Sequence, residues 1–386
     1  MIPYGRQTIS QKDIDAVVDV LKSDFLTQGP AVERFEEAVA GYCTAQRAVS
    51  VSNATAALHL ACLALGVGPG DLVWTSPVSF VASANCARYC GADVDFVDID
   101  PDTVTMSVAA LSDKLSEAAK KNRLPKVVIP VHLAGQSCAM EEIGRLADQY
   151  GFSVVEDASH AIGGTYQSEK VGNCRYSDIA VFSFHPVKII TTAEGGMAVT
   201  NQPQLADKMA MLRSHGITRD PELMDQPSDG PWYYQQLELG HNYRLTDIQA
   251  ALGYSQLQKL DGFVARRTQL ADRYGTLLQS LPLTLPVQPA DTTSAWHLYV
   301  VRLMRDRIAL DQRDVFEKLR EAGIGVNLHY IPIHLQPYYR NLGFGPGDFP
   351  NAEGYYKEAI SLPLFPALTD AEQDKVIEGL RLALEK

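Results

Sequence analysis

Disulfide frameworks, membrane spans and basic tracts are all missing from this sequence. The six cysteines, Cys43, Cys62, Cys86, Cys90, Cys138 and Cys174, form no CxxC pair and no staple-like spacing. Cys86 and Cys90, four apart, could ligate a metal only with partners from elsewhere, and they read instead as small buried residues on one helix. No metal site is expected, and a reducing cytoplasm fits this usage. No apolar run reaches the length that crosses a bilayer. The opening MIPYGRQTISQKD lacks a charged region followed by an apolar one, so no signal peptide is expected. No Lys/Arg-rich cluster stands out among 34 basic residues, against 46 acidic ones and a formal net charge of −12. Nucleic acid and membrane are therefore not expected partners. The acidity reads as solubility.

What is present is an ordinary globular composition. With 386 residues, 46% of them hydrophobic, the chain can bury a core without staples. From about residue 46 to 200, short apolar runs alternate with amphipathic stretches: RAVSVSN (47–53), TAALHLACLAL (55–65), DLVWTSP (71–77), SFVASANCARYCG (79–91), DVDFVDID (93–100), KVVIPVHLAG (126–135), MEEIGRLADQYG (140–151), FSVVED (152–157), SDIAVFSFH (177–185) and GGMAVTN (195–201). Such alternation predicts an α/β domain with a mostly parallel sheet covered by helices. Ligands of these sheets bind beyond the carboxyl ends of the strands. QLADKMAMLRSHG reads as a helix ending at Gly216. Residues 217–243 form a long Pro/Gly/aromatic-rich excursion, and loops of that length are usually functional or disordered. LTDIQAALGYSQLQKLDGFVARRTQLADRYGTLLQSL reads as one long helix. Beyond about 284, strand HLYVVRLM, helix RDVFEKLREAG, strand GVNLHY and helices near 351–361 and 369–386 predict a smaller α+β domain. The expected division is therefore 1–283 and 284–386.

Three strand ends carry residues of chemical interest. At SNATAAL (52–58) a strand hands over to a helix whose first N–H groups have no internal partners; they can hold a phosphate, with Thr55 adding its hydroxyl. The same residues also suit an ordinary N-cap. In VVEDASHAIGG (154–164), Asp157 sits at a strand's carboxyl end and needs a partner: a protonated ring nitrogen of a cofactor, or a structural salt bridge. His160 could bond a phenolic oxygen or be a satisfied core histidine. In SFHPVKIITTAEGGM (183–197), Lys188 could be a solvated surface charge. Held in a low-dielectric pocket, it would instead be a nucleophile suited to Schiff-base chemistry. A phosphate cradle, a carboxylate and a lysine, in that order in one α/β domain, are what pyridoxal phosphate (PLP) requires.

The chain resembles the DegT/StrS family of sugar-nucleotide aminotransferases. The motifs are LTQGPAVERFEEAVA (26–40), NATAALHLACLALGVGPGD (53–71), SPVSFVASANC (76–86), VVEDASHAIGGTY (154–166), FSFHPVKIITTAEGGM (182–197), LRSHGI (212–217), GHNYRLTDIQAALG (240–253) and NLHYIPIHLQPYY (327–339). The resemblance implies the fold type I PLP-dependent transferase architecture, like aspartate aminotransferase, with an N-terminal arm, a large PLP-binding domain, a long connecting helix and a small C-terminal domain. It implies that Lys188 forms the Schiff base and Asp157 pairs with the pyridine nitrogen. Phe80 would stack on the ring. Ala54, Thr55, Ala56 and Ser183 would bind phosphate, and Asn242 would reach the phosphate in a neighbouring subunit of a homodimer. His329 and Tyr330 would lie near substrate. The family often has glutamine at His160 and glycine at Ala54; both replacements keep the needed capacity or size. The segments PYGRQTISQKDIDAVVDVLKSDFLTQGP and DASHA look most like the pseudaminic acid branch. That branch aminates C4 of a UDP-linked 4-keto-6-deoxy-N-acetylhexosamine, with L-glutamate as donor. Other readings fare less well. GVGPGD (66–71) and GFGPGD (343–348) read as turns, not as a dinucleotide fingerprint. Dehydrating relatives replace the lysine with histidine. A silent PLP-binding regulator would not need both Lys188 and Asp157.

Overall fold

The computed structural model describes residues 1–385. An extended arm leads into α1 (Gln11–Leu21) and α2 (Pro30–Cys43). Strands and helices then alternate: β1 (Arg47–Val51), α3 (Ala54–Ala64), β2 (Leu72–Thr75), α4 (Ala82–Tyr89), β3 (Asp93–Phe96), α5 (Val108–Lys120), β4 (Val127–Ile129), α6 (Met140–Tyr150) and β5 (Ser153–Asp157). A small hairpin, β6 (Thr165–Tyr166) and β7 (Glu169–Lys170), precedes β8 (Ile179–Ser183) and β9 (Gly196–Thr200). The central sheet has seven strands in the order β1-β9-β8-β5-β4-β2-β3. Neighbours from β8 to β3 run parallel. Only β9 is reversed, antiparallel to both β1 and β8. The fold is thus the expected α/β layer structure, and the strand interiors are apolar because both faces are covered.

After the sheet come α7 (Pro203–Leu212), the two-residue ladder of β10 (Ile217–Thr218) with β11 (Gln235–Gln236), then α8 (Asp247–Leu257) and α9 (Leu260–Leu277). β12 (Leu283–Thr284), β13 (Thr292–Thr293) and β14 (Tyr299–Leu303) lead to α10 (Gln312–Glu321), α11 (Pro337–Arg340), α12 (Pro350–Tyr356), β15 (Ala359–Leu362) and α13 (Asp370–Leu384). A second sheet, β12-β14-β15, packs with α10 and α13. Leu270 and Tyr274 of α9, with Leu278 just past its end, share that apolar cluster, whereas Leu260 and Val264 at its start belong to the cluster around the large sheet. The helix therefore ties the two cores together.

Four expectations shift. The helix expected to reach Gly216 ends at Leu212, because His215 and Gly216 take left-handed backbone (φ 66° and 68°) and the strand-like pairing of Ser214 with Asn242 begins there. The long helix is two helices. Its break falls where Gln256 and Lys259 turn their side chains onto Asp13 of α1. GVNLHY is not a strand: only Asn327 bridges to Ser361, and the segment instead leads His329 and Tyr330 into a cleft. The helix expected near 351–361 stops at Tyr356, and residues 359–362 complete the second sheet instead.

At Gly196, the first residue of β9, an added Cβ would collide with the backbone of Asn53 and Ala54 where α3 begins. Gly196→Ala should destabilise the fold by about 1–3 kcal/mol, the usual cost of overpacking, read as a lower thermal midpoint. Gly41→Ala, a helical site with nothing within 4 Å of its added Cβ, should raise the midpoint.

Candidate active site

The carboxyl ends of β1, β2, β5 and β8 open into one cleft of about 800 Å³. Asp157 is the last residue of β5, and Ser183 the last of β8. Asn53 to Thr55 follow β1, Ser79 and Phe80 follow β2, and Lys188 lies in the turn after β8; all of these line the cleft. His329 and Tyr330 close it from the C-terminal region, and Tyr4 of the arm joins them. Ten of the eleven residues singled out from the sequence are at or beside this cleft. Asn242 is not: it is exposed and lines no part of its own chain's cleft.

Lys188 is half-buried. Burial pulls its ammonium down from the ordinary 10.5 to about 8, against the opposing attraction of Asp157. Asp157 is only 5% exposed. Its Oδ2 accepts from Ser83 Oγ at 2.6 Å and its Oδ1 from the Ser159 N–H at 3.2 Å. No ion pair to it forms among the described residues, so the structural salt bridge weighed for this carboxylate is absent. The charge remains available to a cationic ligand atom.

His160 is 6% exposed, and burial pushes its pKa well down, helped by Lys188. Its Nδ1 accepts from the Ala134 N–H at 3.2 Å. The neutral ring therefore carries its proton on Nε2, which faces the Tyr330 hydroxyl at 3.2 Å. His329, held by Ser361 Oγ at 2.8 Å, is pushed down to about 4 by burial and Lys188. The imidazoles of His160 and His329 thus stay neutral near pH 7 and add no competing positive charge. Phe80 is 59% exposed and leans over the cleft, its ring centroid 6.2 Å from that of Tyr330.

At the start of α3, Asn53 Oδ1 accepts from the Ala56 N–H at 2.9 Å. Of the three backbone N–H groups expected at a phosphate, that of Ala56 is engaged by the cap, and Ala56 is buried. The cap and the cradle coexist: Ala54 and Thr55 open α3 and line the cleft, and the first N–H groups of a helix have no partner inside it. Residues overlooked in the sequence are Asn53, Ser79, Ser83, Tyr4 and His297. The S-x-x-x-S spacing of Ser79 and Ser83 at a helix start was the available signal for two of them. Nothing local marks Tyr4 or His297, which arrive from distant segments.

Residues 7–381 match the DegT/DnrJ/EryC1/StrS aminotransferase family. The chain belongs to that family. This aminotransferase is 40% identical over 383 residues to the spore coat polysaccharide biosynthesis protein SpsC of Bacillus subtilis, covering 98% of this chain and 96% of that one. It is 38% identical over 389 residues to the UDP-4-amino-4,6-dideoxy-N-acetyl-beta-L-altrosamine transaminase of Campylobacter jejuni, covering 100% and 98%. Among solved structures it superposes on Helicobacter pylori PseC, an aminotransferase involved in the biosynthesis of pseudoaminic acid, with a TM-score of 0.90 at 31% identity over 99% of each chain. Aminotransferases of this family use PLP, and solved relatives carry its PLP and PMP forms. The cleft fits that cofactor: an amine of lowered pKa, an uncompensated carboxylate, an exposed aromatic face, and open N–H and hydroxyl donors for a phosphate.

The lowered pKa makes a direct prediction for the cofactor-free aminotransferase. Labelling of Lys188 by an amine-reactive ester should be half-maximal near pH 8, well below the ordinary 10.5. Asp157→Asn should move the Lys188 midpoint lower still, since the carboxylate's attraction opposes burial. Mass spectrometry of the labelled peptides reads both.

Proposed function

We propose that this PLP-dependent sugar aminotransferase moves the amino group of L-glutamate to C4 of a UDP-linked 4-keto-6-deoxy-N-acetylhexosamine, a pseudaminic acid precursor. The observation that carries the reading is Lys188 and Asp157 facing one cleft, with the amine's pKa brought near working pH. The sugar assignment rests on full-length similarity to the altrosamine transaminase and to PseC. Transfer to another nucleotide-linked keto sugar, at C3 or C4, is the second reading, favoured by the comparable identity to SpsC.

Each residue has a separate task. When bound, PLP supplies an electron sink for the charge left at a carbon that loses its proton. Lys188 holds the cofactor at rest. Its free amine then takes the proton from the donor's α-carbon and later returns one to the sugar carbon. Asp157 keeps the ring nitrogen protonated by charge. Phe80 covers one ring face. The Ala54 and Thr55 N–H groups, with the Thr55 and Ser183 hydroxyls, hold the phosphate at the positive end of α3. His160, an Nε2–H donor, would bond the cofactor's phenolic oxygen in place of the Tyr330 hydroxyl that it faces here, and His329 and Tyr330 border the sugar.

A homodimer completes the site in this reading. Asn242 is exposed and lines no part of its own cleft, which leaves it available to a second copy. No arginine lines the cleft among the described residues, although the donor brings two carboxylates. The division at 283/284 places the substrate-facing residues His329 and Tyr330 on the smaller part. No helix among the described residues is long and apolar enough to cross a membrane. The six cysteines are free thiols, in keeping with a cytoplasmic setting.

The purified protein should be yellow and should bleach with L-glutamate. Incubation with a panel of UDP-4-keto sugars, read by mass and NMR, should give one aminated product. Lys188→Ala should lose the lysine-linked visible absorbance, and turnover should fall at least about 100-fold, the scale of a lost general base. Unchanged turnover in that variant contradicts the assignment.

A further inference from the structure

The environment of Asp157 contains a chain of hydroxyls that the reaction above does not use. Ser83 Oγ lies 2.6 Å from Asp157 Oδ2, and Ser79 Oγ lies 2.6 Å from Ser83 Oγ. Ser83 is fully buried on α4; Ser79 is 3% exposed, in the turn before it, and lines the cleft. Proton counting fixes the direction of this chain. An ionised carboxylate only accepts, so Ser83 must give its single proton to Asp157. Ser79 must then be the donor to Ser83. The Phe80 carbonyl, 3.3 Å from Ser83 Oγ, is a longer and uncharged competitor for the same proton.

We propose that Ser79 and Ser83 are positioning residues for Asp157, a one-way hydroxyl relay that holds the carboxylate in place at the cleft. The relay has a second consequence. Ser79 is bonded in the chain to Phe80, so the turn that presents the exposed aromatic ring is tied to the strand end that presents the carboxylate. The wall that covers the ring and the anion that meets its nitrogen are thereby kept in register. Hydrogen bonds in such series reinforce one another in a buried setting. This inference rests on the reading of Asp157 as the partner of the cofactor's ring nitrogen.

A double-mutant cycle on PLP affinity tests it, with affinity taken from absorbance titration of the cofactor-free protein. Ser83→Ala should weaken PLP binding about 10-fold in the otherwise native chain, as expected for losing a hydrogen bond to a charged group. In an Asp157→Asn background the same change should cost less than about 3-fold, because no charge remains to be held. Ser79→Ala, a loop substitution away from the helix interior, should follow the same pattern with a smaller loss. A loss from Ser83→Ala that is equal in both backgrounds shows a packing role and overturns the proposal. So does native affinity in Ser83→Ala. If Asp157→Asn itself leaves PLP affinity unchanged, the reading of Asp157 fails first, and the two failures are told apart by that single variant.

Discussion

Everything in the cleft depends on one amine and one carboxylate being buried near each other without other charges to neutralise them. Lys188 is driven toward its neutral form by burial, and only the Asp157 anion opposes this. Were a structural arginine paired with Asp157, the carboxylate would be spent on the fold. Were the nearby histidines protonated, Lys188 would lie among like charges. Burial keeps His160, His297 and His329 neutral and leaves the lysine–aspartate relation intact.

The scaffold supplies this arrangement through close backbone approach. Asp157 and Ser183 end adjacent parallel strands. The reversed β9 begins at a glycine so that its backbone can lie against the start of α3. Gly135, in the left-handed region at φ +101°, lets the turn after β4 approach the backbone of His160, Trp296 and His297. That turn donates the Ala134 N–H that selects the His160 tautomer. The proton on His160 Nε2 is thus placed by a contact from the loop after β4.

Much of this was legible in the chain itself. The apolar runs FSVVED and SDIAVFSFH marked the strands that carry Asp157 and Ser183, and the Ala/Leu-rich stretch after Asn53 marked α3. Lys188 stood out by its neighbours Pro186, Gly195 and Gly196. What was not legible depends on tertiary competition. Ala56 has the same local pattern as Thr55, yet its N–H is taken by Asn53. GVNLHY has strand chemistry, but the second sheet takes residues 359–362 beside β14 and leaves 328–330 to line the cleft. The α8–α9 break reflects the remote carboxylate of Asp13, which collects Ser255, Gln256 and Lys259. No local periodicity encodes that carboxylate.

The central claim is that the Lys188 amine is the group joined to the cofactor aldehyde. Loading the protein with PLP, reducing it with borohydride and mapping the added mass by peptide sequencing tests this most directly. The account predicts one modified site, on the peptide that contains Lys188. Stoichiometric modification of a different lysine, with Lys188 unmodified, contradicts it.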